Sequence, residues 1–135
     1  MVGIASIEGM GPALTGKLKG AGIRSTGQLL TKAGPAADRK KLAVKTGTSE
    51  TVLLSWVQRS DLMRVKGVGE EFSDLLTHAG VTSAADLANT KPAELYASCL
   101  EIAQKDRTIV RRPPSEREVA RWVEHARTLT PSAID

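Results

Sequence analysis

The residues of this chain best suited to chemistry are donors for an anion rather than groups that make or break bonds. Gly9-Met10-Gly11 puts two glycines two apart. That spacing lets the backbone turn through conformations closed to residues with a Cβ, and it leaves the first amides of the following helix exposed. Amides converging at a helix N-terminus hold phosphate without any side chain. Lys17 and Lys19 follow on the same predicted helix, Thr15 adds a hydroxyl, and Arg39, Lys40, Lys41 and Lys45 form a second basic cluster.

The turn occurs twice, as I-E-G-M-G-P from Ile7 to Pro12 and V-K-G-V-G-E from Val65 to Glu70. In the second copy Glu70 and Glu71 stand where a phosphate would sit. A carboxylate about 6 Å from a phosphate costs on the order of 1 to 3 kcal/mol at effective dielectrics of about 80 down to 20. A helix terminus contributes about 0.3 to 2 kcal/mol to anion binding, so the two effects roughly cancel. The second turn is therefore expected to be a structural corner whose glutamates stabilise their own helix N-terminus. The first, followed by Pro12 and Ala13, is the expected anion site.

Other chemistry is poorly supported. His78 and His125 have no matching carboxylate or cysteine ligands around them, so no metal or other cofactor is expected. The single cysteine, Cys99, excludes an internal disulfide and reads as a small buried side chain. No nucleophile triad or phosphate-binding P-loop is present, and an enzymatic role is not expected. Trp56 and Trp122 fall on apolar helical faces and are expected in the core. Only Phe72 and Tyr96 join them as aromatics, too few for a surface that stacks single-stranded bases.

The elements that must position the basic residues read as helices throughout. Leu14 and Leu18 share a face before Gly20 and Gly22, and Ser25 with Gln28 forms a capping box ahead of Leu29. Asp38 is placed to cap a helix through Leu42 and Val44 that stops at Gly47. Ser49 caps the next, with Val52, Leu53, Trp56 and Val57 forming a buried stripe. Asp61 to Arg64 is expected to be a short helix entering the second turn. The pattern then repeats: Phe72 and Leu76 match Leu14 and Leu18, Ser83 and Asp86 match Ser25 and Gln28, and Leu87 matches Leu29. Pro92 opens a helix carrying Leu95, Cys99 and Ile102. Arg111-Arg112-Pro113-Pro114 breaks the chain, and Ser115 with Glu118 caps a last helix carrying Trp122. No stretch alternates with period two for long enough to make a sheet, so the fold class is all α. Two repeats, 1–60 and 61–135, are expected to share one core as a single domain. The first turn, with only Met1 to Ser6 before it, is expected to lack a full leading helix.

The 135 residues carry a net charge of +4, distributed unevenly. Residues 1–60 hold nine Lys or Arg against three acids, a net +6, and residues 61–135 hold ten against twelve, a net −2. A polyanion would favour the first half. No basic leader precedes Glu8 and no apolar run approaches membrane-spanning length, so a cytoplasmic protein with no membrane association is expected.

Both turns resemble the helix-hairpin-helix motif, apolar-x-Gly-apolar-Gly followed by a small residue (Thr15, Ser73) and then an apolar one (Leu18, Leu76). The stretches R-K-K-L-A-V-K-T-G-T-S, L-S-W-V-Q-R-S-D-L-M-R-V-K-G-V-G-E-E-F and V-R-R-P-P-S-E-R-E-V-A-R-W-V resemble an uncharacterised prokaryotic domain family built on such repeats. The motif implies sequence-independent contacts from turn amides to duplex DNA phosphates, which position without reading bases. Ala13, Leu14 and Gly16 occupy helix positions that are often lysine in DNA-binding members, a departure from the stronger pattern. The expectation is a non-catalytic nucleic-acid-binding module using Gly9, Met10, Gly11, Lys17, Lys19, Arg39, Lys40, Lys41 and Lys45. The alternative is a protein-interaction or adaptor domain in which both turns are structural. Sequence leaves the oligomeric state and any protein partner open.

Overall fold

The computed structural model describes Gly3, Ile4 and residues 10–135. Among these residues the structure is all helical, apart from one isolated bridge between Gly3 and Ser25. The helices are α1 (Gly11–Gly20), α2 (Thr26–Ala33), α3 (Ala36–Thr46), α4 (Glu50–Leu62), α5 (Glu70–His78), α6 (Ala84–Ala88), α7 (Pro92–Lys105) and α8 (Glu116–Ala126). Their contacts divide the chain into two units, Met1–Asp61 with Ser132–Asp135, and Leu62–Pro131.

In the first unit, α1 and α2 each pack against α3. Leu18 and Leu29 are fully buried, and burying a leucine stabilises by about 1.5 to 3 kcal/mol. The end of α1 is set by Gly22, whose φ of +86° reverses the chain so that the Ile23 amide donates back to Leu18 O at 2.9 Å. Ile23 is buried by that reversal. Ser25 caps α2 by accepting from the Gln28 amide at 3.1 Å. Gln28 Oε1 accepts from the Arg24 amide at 2.7 Å, one residue before the amide a capping box would use.

The start of α3 departs from the sequence expectation. Asp38 is not its cap: it lies in the first helical turn, and the N-cap position is held by Pro35. The Ala36 amide instead donates to Asp135 Oδ1 at 2.6 Å, a partner 99 residues away. Asp135 also donates its amide to Gly34 O at 3.2 Å. Gly34 fits because it has no side chain: a Cβ there would lie 2.5 Å from Ala133 O and 2.6 Å from Leu30 O, both backbone atoms. Two further expectations fail on α4. Val52 is 40% exposed rather than part of the stripe, while Leu53 and Val57 are fully buried. Asp61 and Leu62 also continue α4 instead of starting a separate helix, because no glycine or proline interrupts the run from Glu50.

The second unit repeats the first turn-and-helix pattern closely after its own turn. The Val81 amide donates to Leu76 O at 2.9 Å across Gly80, whose φ is +85°. Ser83 accepts from the Asp86 amide at 3.0 Å, and Asp86 Oδ2 accepts from the Thr82 amide at 3.2 Å. α8 packs on α6 and α7, and α5 packs on α7. Trp122, on α8, is 2% exposed and meets Phe72 with ring centroids 4.9 Å apart, a tilted aromatic pair. Cys99 is fully buried, and burial pushes its thiol up to about 11.

Two glycine turns with the same spelling take different backbones. Gly11 has φ +78°, whereas its counterpart Gly69 is an extended N-cap at φ −96°, ψ −160° and the left-handed residue of the second turn is Gly67, at φ +92°. Ile7, Glu8 and Gly9 lie outside the described residues.

α8 begins with a complete capping box: Ser115 accepts from the Glu118 amide and Glu118 accepts from the Ser115 amide. Arg112 forks onto the Glu118 carboxylate at 2.7 and 3.1 Å. The hydrogen bond from Arg112, followed by the Ser115 amide, holds Glu118 down at about 2. A carboxyl lowered on folding stabilises the native state above its unfolded pKa, and that contribution is lost as pH falls towards the folded value. Acid titration from pH 5 to about 2 should therefore erode the stability of the wild type more than that of Arg112→Ala. Equal acid sensitivity in thermal melts would contradict the assignment.

Candidate anion-binding surface

The expected basic residues divide between exposed and buried positions in the first unit. Gly9 lies outside the described residues. Met10 is buried, so only its backbone is available to a ligand, while Gly11, Lys17 and Lys19 are exposed. Gly11, Pro12, Thr15, Gly16 and Lys19 line an open cleft of about 470 Å³. The Thr15 hydroxyl already donates to Gly11 O at 2.7 Å, so its proton is engaged within the helix.

Arg39 does not belong to this surface. It is 3% exposed, with Nη1 donating to Ala33 O at 3.2 Å and to Gly34 O at 2.7 Å. Nη2 donates to Asp135 O and lies 3.5 Å from Glu50 Oε1. The guanidinium thus joins the α2–α3 corner to the distant segment Ser132–Asp135 of the same unit. A run of three adjacent basic residues cannot all face one way on a helix, since successive side chains are turned by about 100°. Arg39 takes the inward position, and Lys40 and Lys41 remain outside.

Lys41 and Lys45 are one turn apart on α3, sharing a face with Asp38 and Leu42. That face opens on a groove of about 390 Å³ completed by Ala21, Ile23 and Lys32. Lys40 does not line it. Lys32, not among the expected binding residues, sits in the last turn of α2 with Nζ donating to Gly22 O at 3.2 Å. Its relation to Lys41 and Lys45 depends on α2 packing against α3, which periodicity alone does not reveal. Three ammonium groups therefore line the groove against one carboxylate, Asp38. Because Asp61 and Asp135 fold with the first unit, its net charge is +4 and the second unit's is zero.

At the second turn, two amides are already engaged. The Lys66 amide donates to His125 Nδ1 at 2.9 Å and the Val68 amide to Val65 O at 3.0 Å. Glu70 and Glu71 lie in the first turn of α5, as expected, and Glu71 Oε1 also accepts from the Arg111 amide at 3.0 Å. A carboxylate in the first turn of α5 is thus used to anchor the loop before α8. His78, in the last turn of α5, places Nδ1 2.8 Å from Asp74 O. Among the described residues no group of three or more His, Cys, Asp and Glu is arranged to hold a metal ion, and no helix is long and apolar enough to cross a membrane.

No curated protein and no solved structure matches the chain. One family model does match, over residues 8–129. The chain belongs to the family described as Domain of unknown function (DUF4332).

Proposed function

We propose that the protein is a non-catalytic module that binds nucleic acid through its phosphates, with duplex DNA as the favoured ligand. The observation that carries this reading is the groove onto which Lys32, Lys41 and Lys45 open, in the unit that holds all of the net positive charge. Phosphate contacts of this kind position a protein without selecting sequence, and non-specific Kd values fall at about 10⁻⁴ to 10⁻⁶ M at physiological salt. Lys17, Lys19 and Lys40 add exposed charge to the same unit, and Lys19 lines a second cleft with Gly11.

Fluorescence anisotropy with a duplex probe across a salt series tests the reading. The double variant Lys41→Ala with Lys45→Ala should flatten the log–log salt slope by about 2, at roughly 0.9 per phosphate contact. Lys91→Ala, at an exposed position of the second unit, should leave it unchanged. No binding at about 50 mM salt would sink the proposal, since phosphate contacts are strongest there. A second reading, an adaptor domain, draws on Val44 at 85% and Val52 at 40% exposure. It is favoured if the lysine variant is silent and sedimentation shows an association that Val44→Asp abolishes.

A further inference from the structure

The second unit contains a groove of about 470 Å³ lined by Lys66, Gly67, Glu118, Arg121, Trp122 and His125. Glu118, Arg121, Trp122 and His125 recur at three- and four-residue spacing on one face of α8, and Lys66 and Gly67 come from the turn before α5. The hydrogen-bonding character of this groove is one-sided. Lys66 and Arg121 are exposed cations. His125 accepts from the Lys66 amide through Nδ1, which fixes the neutral tautomer with its proton on Nε2 and leaves that nitrogen as a donor. The one carboxylate among the lining residues, that of Glu118, is held by Arg112 and by the Ser115 amide.

The floor is the indole of Trp122, 98% buried by its 2% exposure, whose N–H has no protein acceptor among the described residues. The Nε1 edge faces Gly67: a Cβ built on that glycine would lie 3.1 Å from Nε1 and 3.5 Å from Cδ1. The missing side chain therefore leaves an open position at hydrogen-bonding range from an indole N–H that reaches the groove and has no protein acceptor among the described residues.

We propose that this groove binds a small organic anion, with its phosphate or carboxylate head held by Trp122 Nε1, His125 Nε2 and Arg121, and its planar or apolar body lying along the indole. The assignment rests on side chains of α8 rather than on turn amides, since those of Lys66 and Val68 are already engaged. It is independent of the nucleic-acid reading, which concerns the other unit.

Two-dimensional ¹H–¹⁵N spectra of the full chain test it directly, because the indole N–H groups of Trp56 and Trp122 give separate resonances. Phenyl phosphate and benzoate are titrated to about 10 mM, well above the 1 mM Kd that marks weak specific binding. The Trp122 resonance should shift saturably while that of Trp56, in the first unit, stays fixed. Benzylamine, a cation of similar shape, should produce no shift. Arg121→Glu, at an exposed position, should weaken binding at least tenfold with the spectrum otherwise preserved. Gly67→Ala should abolish it if that variant folds, and the Arg121 variant decides the matter if it does not. An unmoved Trp122 resonance, an equal response to benzylamine, or full affinity in Arg121→Glu overturns the site. Equal affinity for inorganic phosphate and phenyl phosphate overturns the part played by the organic body.

Discussion

Arg39→Ala is expected to destabilise the first unit by about 2 to 4 kcal/mol, since hydrogen bonds to charged groups are each worth about 1.5 to 3 kcal/mol. The variant removes donors from Ala33 O, Gly34 O and Asp135 O together. Two effects hold the loss below the full sum. Arg39 Nε is buried without a partner, so part of the desolvation cost of the guanidinium is recovered on its removal. Glu50, left behind, is 38% exposed and regains water, unlike the stranded partner of a fully buried pair. Glu50→Gln should accordingly cost under about 1 kcal/mol, as partly exposed ion pairs do. Urea unfolding followed through the Trp56 indole resonance reads the first unit. A midpoint for Arg39→Ala no lower than for Glu50→Gln would overturn the structural role assigned to this arginine.

Trp122→Ala should be at least as damaging in the second unit, at about 3 to 5 kcal/mol, the range for removing a fully buried large aromatic from a packed core. The side chain is 2% exposed and its ring packs on Phe72. Trp56, on α4, is only partly buried, with Arg59 lying over its ring at 5.2 Å. Trp56→Ala should cost no more than about 2 kcal/mol. Urea midpoints of the two variants decide the comparison, and equal losses would mean that sequence position outweighs burial.

That contrast also shows what could be read from the residues before any coordinates. Helix starts and stops were legible wherever the signal is local: the Ser25, Ser83 and Ser115 caps and the reversals at Gly22 and Gly80 all depend on atoms within a few residues. Failures occur where a distant segment decides. Asp38 looks like a cap until Asp135 takes the Ala36 amide, and Arg39 looks like a surface charge until Ala33, Gly34 and Asp135 enclose it. The basic surface was half legible for the same reason. Lys41 and Lys45 share a helical face by spacing alone, whereas Lys32 reaches the groove through packing between helices. The unpaired indole beside Gly67 left no trace in composition, since Trp122 reads as core and is core.

The place of Ser132–Asp135 in the first unit ties its completion to residues made after the second. Everything in the second unit, Leu62–Pro131, is translated before those four residues emerge, and its contacts lie within one unbroken stretch. Chains usually complete their N-terminal parts first as they leave the ribosome. Here the N-terminal unit departs from that order in two contacts, because the acceptor for the Ala36 amide and one acceptor for Arg39 lie 99 and 96 residues further on. The first unit therefore needs residues from both sides of the second to make its closing contacts, whereas the second draws on one continuous stretch.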